Sequence, residues 1–347
     1  MKSTLVSIDP QKYVAEKKKE TKIFAHFCSY TPEEIIHAAG ILPVRIFGSD
    51  IVEKANTHLQ SYCCSYAKRV LENGLINQYG GSVFVHSCDT MQRLSDIWEE
   101  AIPEQFHDTI VFPIAMDRGL VYLVKELQRF KTDLETYAGI IPEDNLRNSI
   151  AVYNENRELL QKLYEKRKEG HIPAVVIDKV MKTSMVMEKV EHTELLKEFL
   201  EEVELQESSN PRLLIAGSVI IDPEILNTIE EYGSIRYDDL CTGSRYLESV
   251  KDASLEGIAQ KYHHMWCPCR AAKDSRADYL TGKCKDYSIQ GVVLLLQKFC
   301  EPHFFEAVYT KNQLKEKGYP CLLLELQDQP LEQLRTRIQA FCEILEG

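Results

Sequence analysis

Eight short apolar runs, most of them followed by a turn and a helical pattern, set what this chain can become. They lie at 21–27, 43–47, 82–86, 109–113, 212–216, 234–237, 290–299 and 321–326. Parallel neighbours need a crossover of a dozen or more residues, which a helix supplies, so strand and helix in alternation predict parallel, doubly wound sheets. The runs form two groups of four. Between them, from Asp117 to about Ser209, Leu120, Leu123, Val124 and Leu127 open a densely charged, helically spaced stretch. The expected architecture is α/β, with one lobe over residues 1–116, a helical connector over 117–210 and a second lobe over 211–347. Caps mark some boundaries. Thr31, Pro32 and Gly40 read as N-cap, first position and stop of one helix, and Asp222 with Pro223 opens another.

The first residues lack an apolar leader, and no run approaches the roughly 18 apolar residues of a membrane span. A soluble cytoplasmic protein is expected. Its formal net charge of −12 argues against nucleic acid as a partner, and the lysine run 17–19 reads as a solvated helix face. In a reducing compartment, eleven cysteines point to metal or redox chemistry rather than to disulfides.

Where those cysteines fall is informative. Cys28, Cys88, Cys241 and Cys300 each follow directly on a predicted strand, and open α/β sheets bind their ligands beyond the carboxyl ends of the strands. Cys28 and Cys88 also precede helices, and Cys63 and Cys64 read as opening one, where free N–H groups and the helix dipole favour thiolate. Adjacent cysteines do not readily bond to each other, because their Cα atoms are about 3.8 Å apart and their side chains diverge. Such a pair serves either as two small core residues or as ligands to two metal centres, or to two corners of one large cluster. Cys267 and Cys269 flank a proline, and one or both are candidate ligands. Cys321 and Cys342 read as core residues and Cys284 as incidental. Structural zinc uses two close cysteine pairs. Thiols dispersed from Cys28 to Cys300 suit an iron–sulfur cluster built by the fold better. His26, His86 and His303 lie near the same strand ends and are candidate proton donors, while Ser29, Ser65, Ser87 and Thr90 are candidate hydrogen-bond donors around a cluster.

The stretch Cys28-Ser29-Tyr30-Thr31-Pro32-Glu33-Glu34-Ile35-Ile36, followed by Leu42-Pro43-Val44-Arg45, resembles the opening of the 2-hydroxyacyl-CoA dehydratase and benzoyl-CoA reductase superfamily. Ser87-Cys88-Asp89, Tyr153-Asn154-Glu155-Asn156-Arg157, Asp238-Asp239-Leu240-Cys241-Thr242-Gly243-Ser244-Arg245, Gln290-Gly291-Val292-Val293, Phe299-Cys300-Glu301-Pro302 and Arg337-Ile338-Gln339-Ala340-Phe341 carry the resemblance on, in order. It implies two Rossmann-like lobes with a cluster between them, an ATP-hydrolysing activator that delivers low-potential electrons, and a dimer. In dehydratases of that superfamily a single [4Fe–4S] cluster is held by three cysteines, which would fall here on Cys63 or Cys64, Cys88 and Cys300.

This chain departs from that pattern in carrying Cys64 directly after Cys63, with Cys28 as a further thiol. Cys28, Cys63, Cys64, Cys88 and Cys300, with Cys269 (or Cys267 or Cys241 in its place), make six. Such a set resembles the double-cubane proteins of the superfamily, whose [8Fe–9S] cluster reduces small unsaturated molecules. The leading expectation is therefore an ATP-coupled iron–sulfur reductase working as a homodimer on a small-molecule substrate. A 2-hydroxyacyl-CoA dehydratase or aryl-CoA reductase subunit with one cubane is the alternative, with Arg245, Arg270 or Arg276 for phosphates. A non-catalytic electron-transfer or metal-binding module is the third reading.

Overall fold

Each apolar run is a strand in the computed structural model, which describes residues 4–103, 105–270, 275–326 and 331–347. The strands are β1 Ile23–His26, β2 Leu42–Arg45, β3 Gly81–His86, β4 His107–Val111, β5 Arg212–Gly217, β6 Ser234–Asp239, β7 Gly291–Gln297 and β8 Cys321–Leu326. They form two four-stranded, all-parallel sheets ordered β2-β1-β3-β4 and β6-β5-β7-β8. The two halves thus share one connectivity. Central strands read as unbroken apolar runs because helices cover both faces: every residue of β7 (GVVLLLQ) is buried.

Four helices, Leu120–Ala138, Glu143–Glu169, Ala174–Ser184 and Lys189–Glu202, stand between the sheets in sequence. The 27-residue helix Glu143–Glu169 is about 40 Å long and engages both lobes. Its Arg157 reaches Glu34 beside β1, and its Tyr164 and Arg167 reach Asp238 on β6. One apolar core runs through both lobes, from Val70, Phe84 and Trp98 to Leu214, Val292 and Leu294. Among the described residues no helix is long and apolar enough to cross a membrane.

Helix starts differ from expectation. The helix expected from Pro32 begins at Glu33, with Pro32 as its N-cap at ψ 78 and no side-chain cap. Proline fixes φ but leaves ψ free, and this ψ is not helical, so the Thr31 hydroxyl is left buried and unpartnered. Pro223 likewise caps the helix Glu224–Glu230 in place of Asp222, whose carboxylate still accepts from the Glu224 N–H. The lysine run straddles the end of the helix Pro10–Lys17: Lys17 bonds Glu191, and Lys18 lies 4.0 Å from the Tyr79 ring centre.

One glycine here reverses a general rule. Gly74 lies inside the helix Ser65–Ile76, where alanine ordinarily adds about 1 kcal/mol. A Cβ at this position would overlap the Trp98 ring and approach Ile102 Cδ1 at 2.7 Å. Gly74→Ala is therefore expected to destabilise the protein by about 1–3 kcal/mol in urea unfolding.

Candidate metal centre

In each sheet the strand order reverses between the two central strands, and connections leave in opposite directions there. The carboxyl ends of β1 and β3 carry Cys28 and Cys88; those of β5 and β7 carry Ser218, Val219, Phe299 and Cys300. All of these line one cavity, which encloses about 680 Å³ including its open mouth. Cys64, Cys241, Cys267 and Cys269 complete its wall, so seven thiols share it. Cys63 is not among the lining residues. It precedes the helix Ser65–Ile76, of which Cys64 is the N-cap. Cys284 and Cys342 are buried elsewhere in the core, and Cys321 begins β8. Among the described residues no three of His, Cys, Asp and Glu are grouped so as to hold a single ion.

Helix starts carry three of these thiols, Cys64 among them. Cys88 is the N-cap of Asp89–Ala101 and Cys300 that of Glu301–Glu316. A hydrogen bond with the Cys300 thiol, aided by the N–H groups of Ala67 and Tyr66, brings the Cys64 thiol down to about 7. Cys267 falls to about 6 through its bond with Cys269 and the nearby charge of Arg245. Burial instead raises Cys28, Cys88 (to about 12) and Cys241 (to about 11). Just before Cys300, Phe299 is held at φ 62, a conformation that costs a bulky residue about 1–3 kcal/mol.

Two arginines stand behind this wall and a third lines it. Arg245 Nη1 donates to Cys241 Sγ at 3.2 Å and faces Cys267 Sγ at 3.8 Å. Its remaining nitrogens grip Asp239, with Nε 2.9 Å from Oδ1. Arg276 reaches the same carboxylate through Nε at 3.0 Å. Arg45, the last residue of β2, lines the cavity itself. Sequence reasoning missed it, because Arg45 stands inside the apolar run 43–47 and only the structure ends the strand there.

Of the three histidines, only His303 lines the cavity, with Nδ1 3.2 Å from Cys300 Sγ. Burial holds its ring neutral. His26 lies on β1 in a buried pair with Glu33 at 3.4 Å, its titration pushed down to about 4 by burial. His86 ends β3, half-buried and off the cavity wall. Of the serines and threonines singled out, Ser87 and Thr90 line the cavity. Ser29 ties Arg45 to the Cys241 carbonyl, and Ser65 accepts from Gln297 across the lobes. Arg270 is bonded to the carbonyls of Ile114 and Ala115, and Arg276 is spent on Asp239 and Glu306.

A family model described as 2-hydroxyglutaryl-CoA dehydratase, D-component, matches residues 28–345. The beta subunit of lactoyl-CoA dehydratase from Anaerotignum propionicum is 31% identical, over 98% of this chain and 96% of that subunit. A benzoyl-CoA reductase subunit from Thauera aromatica is 29% identical, over 94% and 90%. The (R)-phenyllactyl-CoA dehydratase beta subunit of Clostridium sporogenes is 26% identical, over 97% and 96%. With the match running from the Cys28 at the first strand end into the last helix, the chain belongs to the 2-hydroxyglutaryl-CoA dehydratase D-component family.

Proposed function

We propose that this chain is an iron–sulfur reductase of its family whose seven-thiol cavity holds an [8Fe–9S] double cubane. It would draw low-potential electrons from an ATP-hydrolysing activator, reduce a small molecule, and work in the cytoplasm as a homodimer. The observation that carries this reading is the convergence of seven thiols, drawn from both lobes, on one cavity. A single cubane with one open iron uses three protein thiolates, whereas two bridged cubanes use six. Cys28, Cys64, Cys88 and Cys300 with two of Cys241, Cys267 and Cys269 would hold the group. Soft thiolates suit iron and sulfide, and N–H groups at helix starts suit their negative charge. The cluster would supply electrons at low potential.

The chain's own residues do the rest. Arg245 neutralises charge at Cys241 while Asp239 fixes the direction of its guanidinium. The neutral ring of His303 holds a proton within reach of Cys300 Sγ. Phe27, Val219 and Phe299 keep part of the wall apolar, which limits water there.

A second reading, a dehydratase or aryl-CoA reductase subunit with one [4Fe–4S] cluster, is favoured by the names of the relatives, which act on lactoyl-CoA, phenyllactyl-CoA and benzoyl-CoA. Iron and acid-labile sulfide assayed after anaerobic purification separate the two. About eight irons per chain are expected. About four would favour the second reading, and zinc without iron would overturn both.

A further inference from the structure

Arg45 is 3% exposed. Its Nη1 donates to Ser29 Oγ at 3.1 Å, and Ser29 in turn donates to the Cys241 carbonyl at 2.7 Å. Its Nε is buried without a hydrogen-bond partner. Among the described residues no carboxylate lies within ion-pair distance of it. Four of the other buried guanidiniums have a carboxylate partner, while Arg236 and Arg270 are bonded to backbone carbonyls instead. Arg157 has Glu34, Arg167 has Asp238, and Arg245 and Arg276 share Asp239. A guanidinium does not deprotonate in a protein, and a buried charge without a counter-charge is costly. The space that Arg45 shares with thiols is the seven-thiol cavity.

We propose that Arg45 is the built-in counter-ion of an anionic group in this cavity and a positioning residue that raises its reduction potential. This rests on reading the cavity as an iron–sulfur site. One-electron reduction, with the activator's centre oxidised in exchange, adds a negative charge to the occupant. A fixed cation in the wall stabilises that reduced form more than the oxidised one. Arg245 contributes less net charge, because Asp239 already balances it.

The test is a potentiometric titration of the iron-loaded full-length protein followed by electron paramagnetic resonance, for wild type, Arg45→Gln and Arg45→Lys. Arg45→Gln is expected to lower the reduced-to-oxidised ratio at a fixed potential about tenfold, a midpoint about 59 mV more negative. Arg45→Lys should stay near wild type. Loss of iron from Arg45→Gln but not from Arg45→Lys, with unchanged thermal unfolding, supports the same role. An unchanged midpoint in fully loaded Arg45→Gln, or an equal shift or equal iron loss in both variants, overturns it and leaves the cluster reading intact. Wild-type protein without iron overturns both. Arg45→Met, neutral and of similar length, repeats the measurement if the glutamine variant does not fold.

Discussion

Cys64→Ala is expected to lose much of the iron that wild type holds, while Cys63→Ala keeps it. The two residues are neighbours, yet the helix boundary separates their roles. Cys64 is the N-cap of Ser65–Ile76, is 9% exposed and lines the cavity. Its thiol bonds with Cys300 from the other lobe and faces the N–H groups of Tyr66 and Ala67. Cys63 lies outside the helix, its N–H bonded back to the Gln60 carbonyl, and is not among the residues that line the cavity. Cluster binding needs its thiolates pre-placed, so deleting one that joins the lobes costs more than deleting a bystander. Iron and sulfide per chain give the readout, with circular dichroism confirming that each variant is folded. Equal iron in both variants would remove Cys64 from the site, and loss confined to Cys63→Ala would exchange the two roles.

The contrast also shows where sequence ceases to be informative. Parallel strands buried on both faces betray themselves as apolar runs, so β7 could be placed from its composition alone. Cysteines directly after such strands must lie at the binding edge of the sheet, which is why Cys28, Cys88, Cys241 and Cys300 were legible as a group. Which member of an adjacent pair turns inward depends on one residue of helix phase, and pattern does not fix that. Arg45 stands inside the apolar run 43–47, and its place on a cavity shared with residues of the other half leaves no mark there. Glu33 and Glu34 were equally misleading. Acidic residues in a first helical turn are ordinarily solvated and dipole-favoured, yet these two are 3% and 0% exposed. Their partners are Lys189, Arg157 and Lys261, far along the chain. Contacts of that separation leave no local signature.

The network around Glu34 predicts the largest effect on stability. Arg157→Met is expected to destabilise the fold by about 3–5 kcal/mol, because it leaves a buried carboxylate short of its main counter-charge. Glu34 Oε1 accepts from Arg157 Nη1 at 2.6 Å and from Lys261 Nζ at 3.3 Å, and Oε2 accepts from the Tyr262 hydroxyl at 2.9 Å. These groups come from Glu33–Ala38 beside the first sheet, from Glu143–Glu169, and from Leu255–His264 in the second half, so the network joins three parts of the molecule. Burial would raise the Glu34 carboxyl, but the charges of Arg157 and Lys261 outweigh it and hold the group at about 2, against 4.5 when unfolded. The folded state therefore binds fewer protons than the unfolded chain between those values. This contribution is full above about pH 4.5 and is lost as pH falls toward 2. Urea unfolding of wild type and Arg157→Met at pH 7 measures the deficit, and repeating it toward pH 3 should narrow the gap. The double variant Glu34→Gln, Arg157→Met should cost less than the sum of the single changes, since each single change strands the other partner. An Arg157→Met protein within about 0.5 kcal/mol of wild type would mean that Lys261 and Tyr262 suffice to balance Glu34, and that the guanidinium is not what joins the helices there.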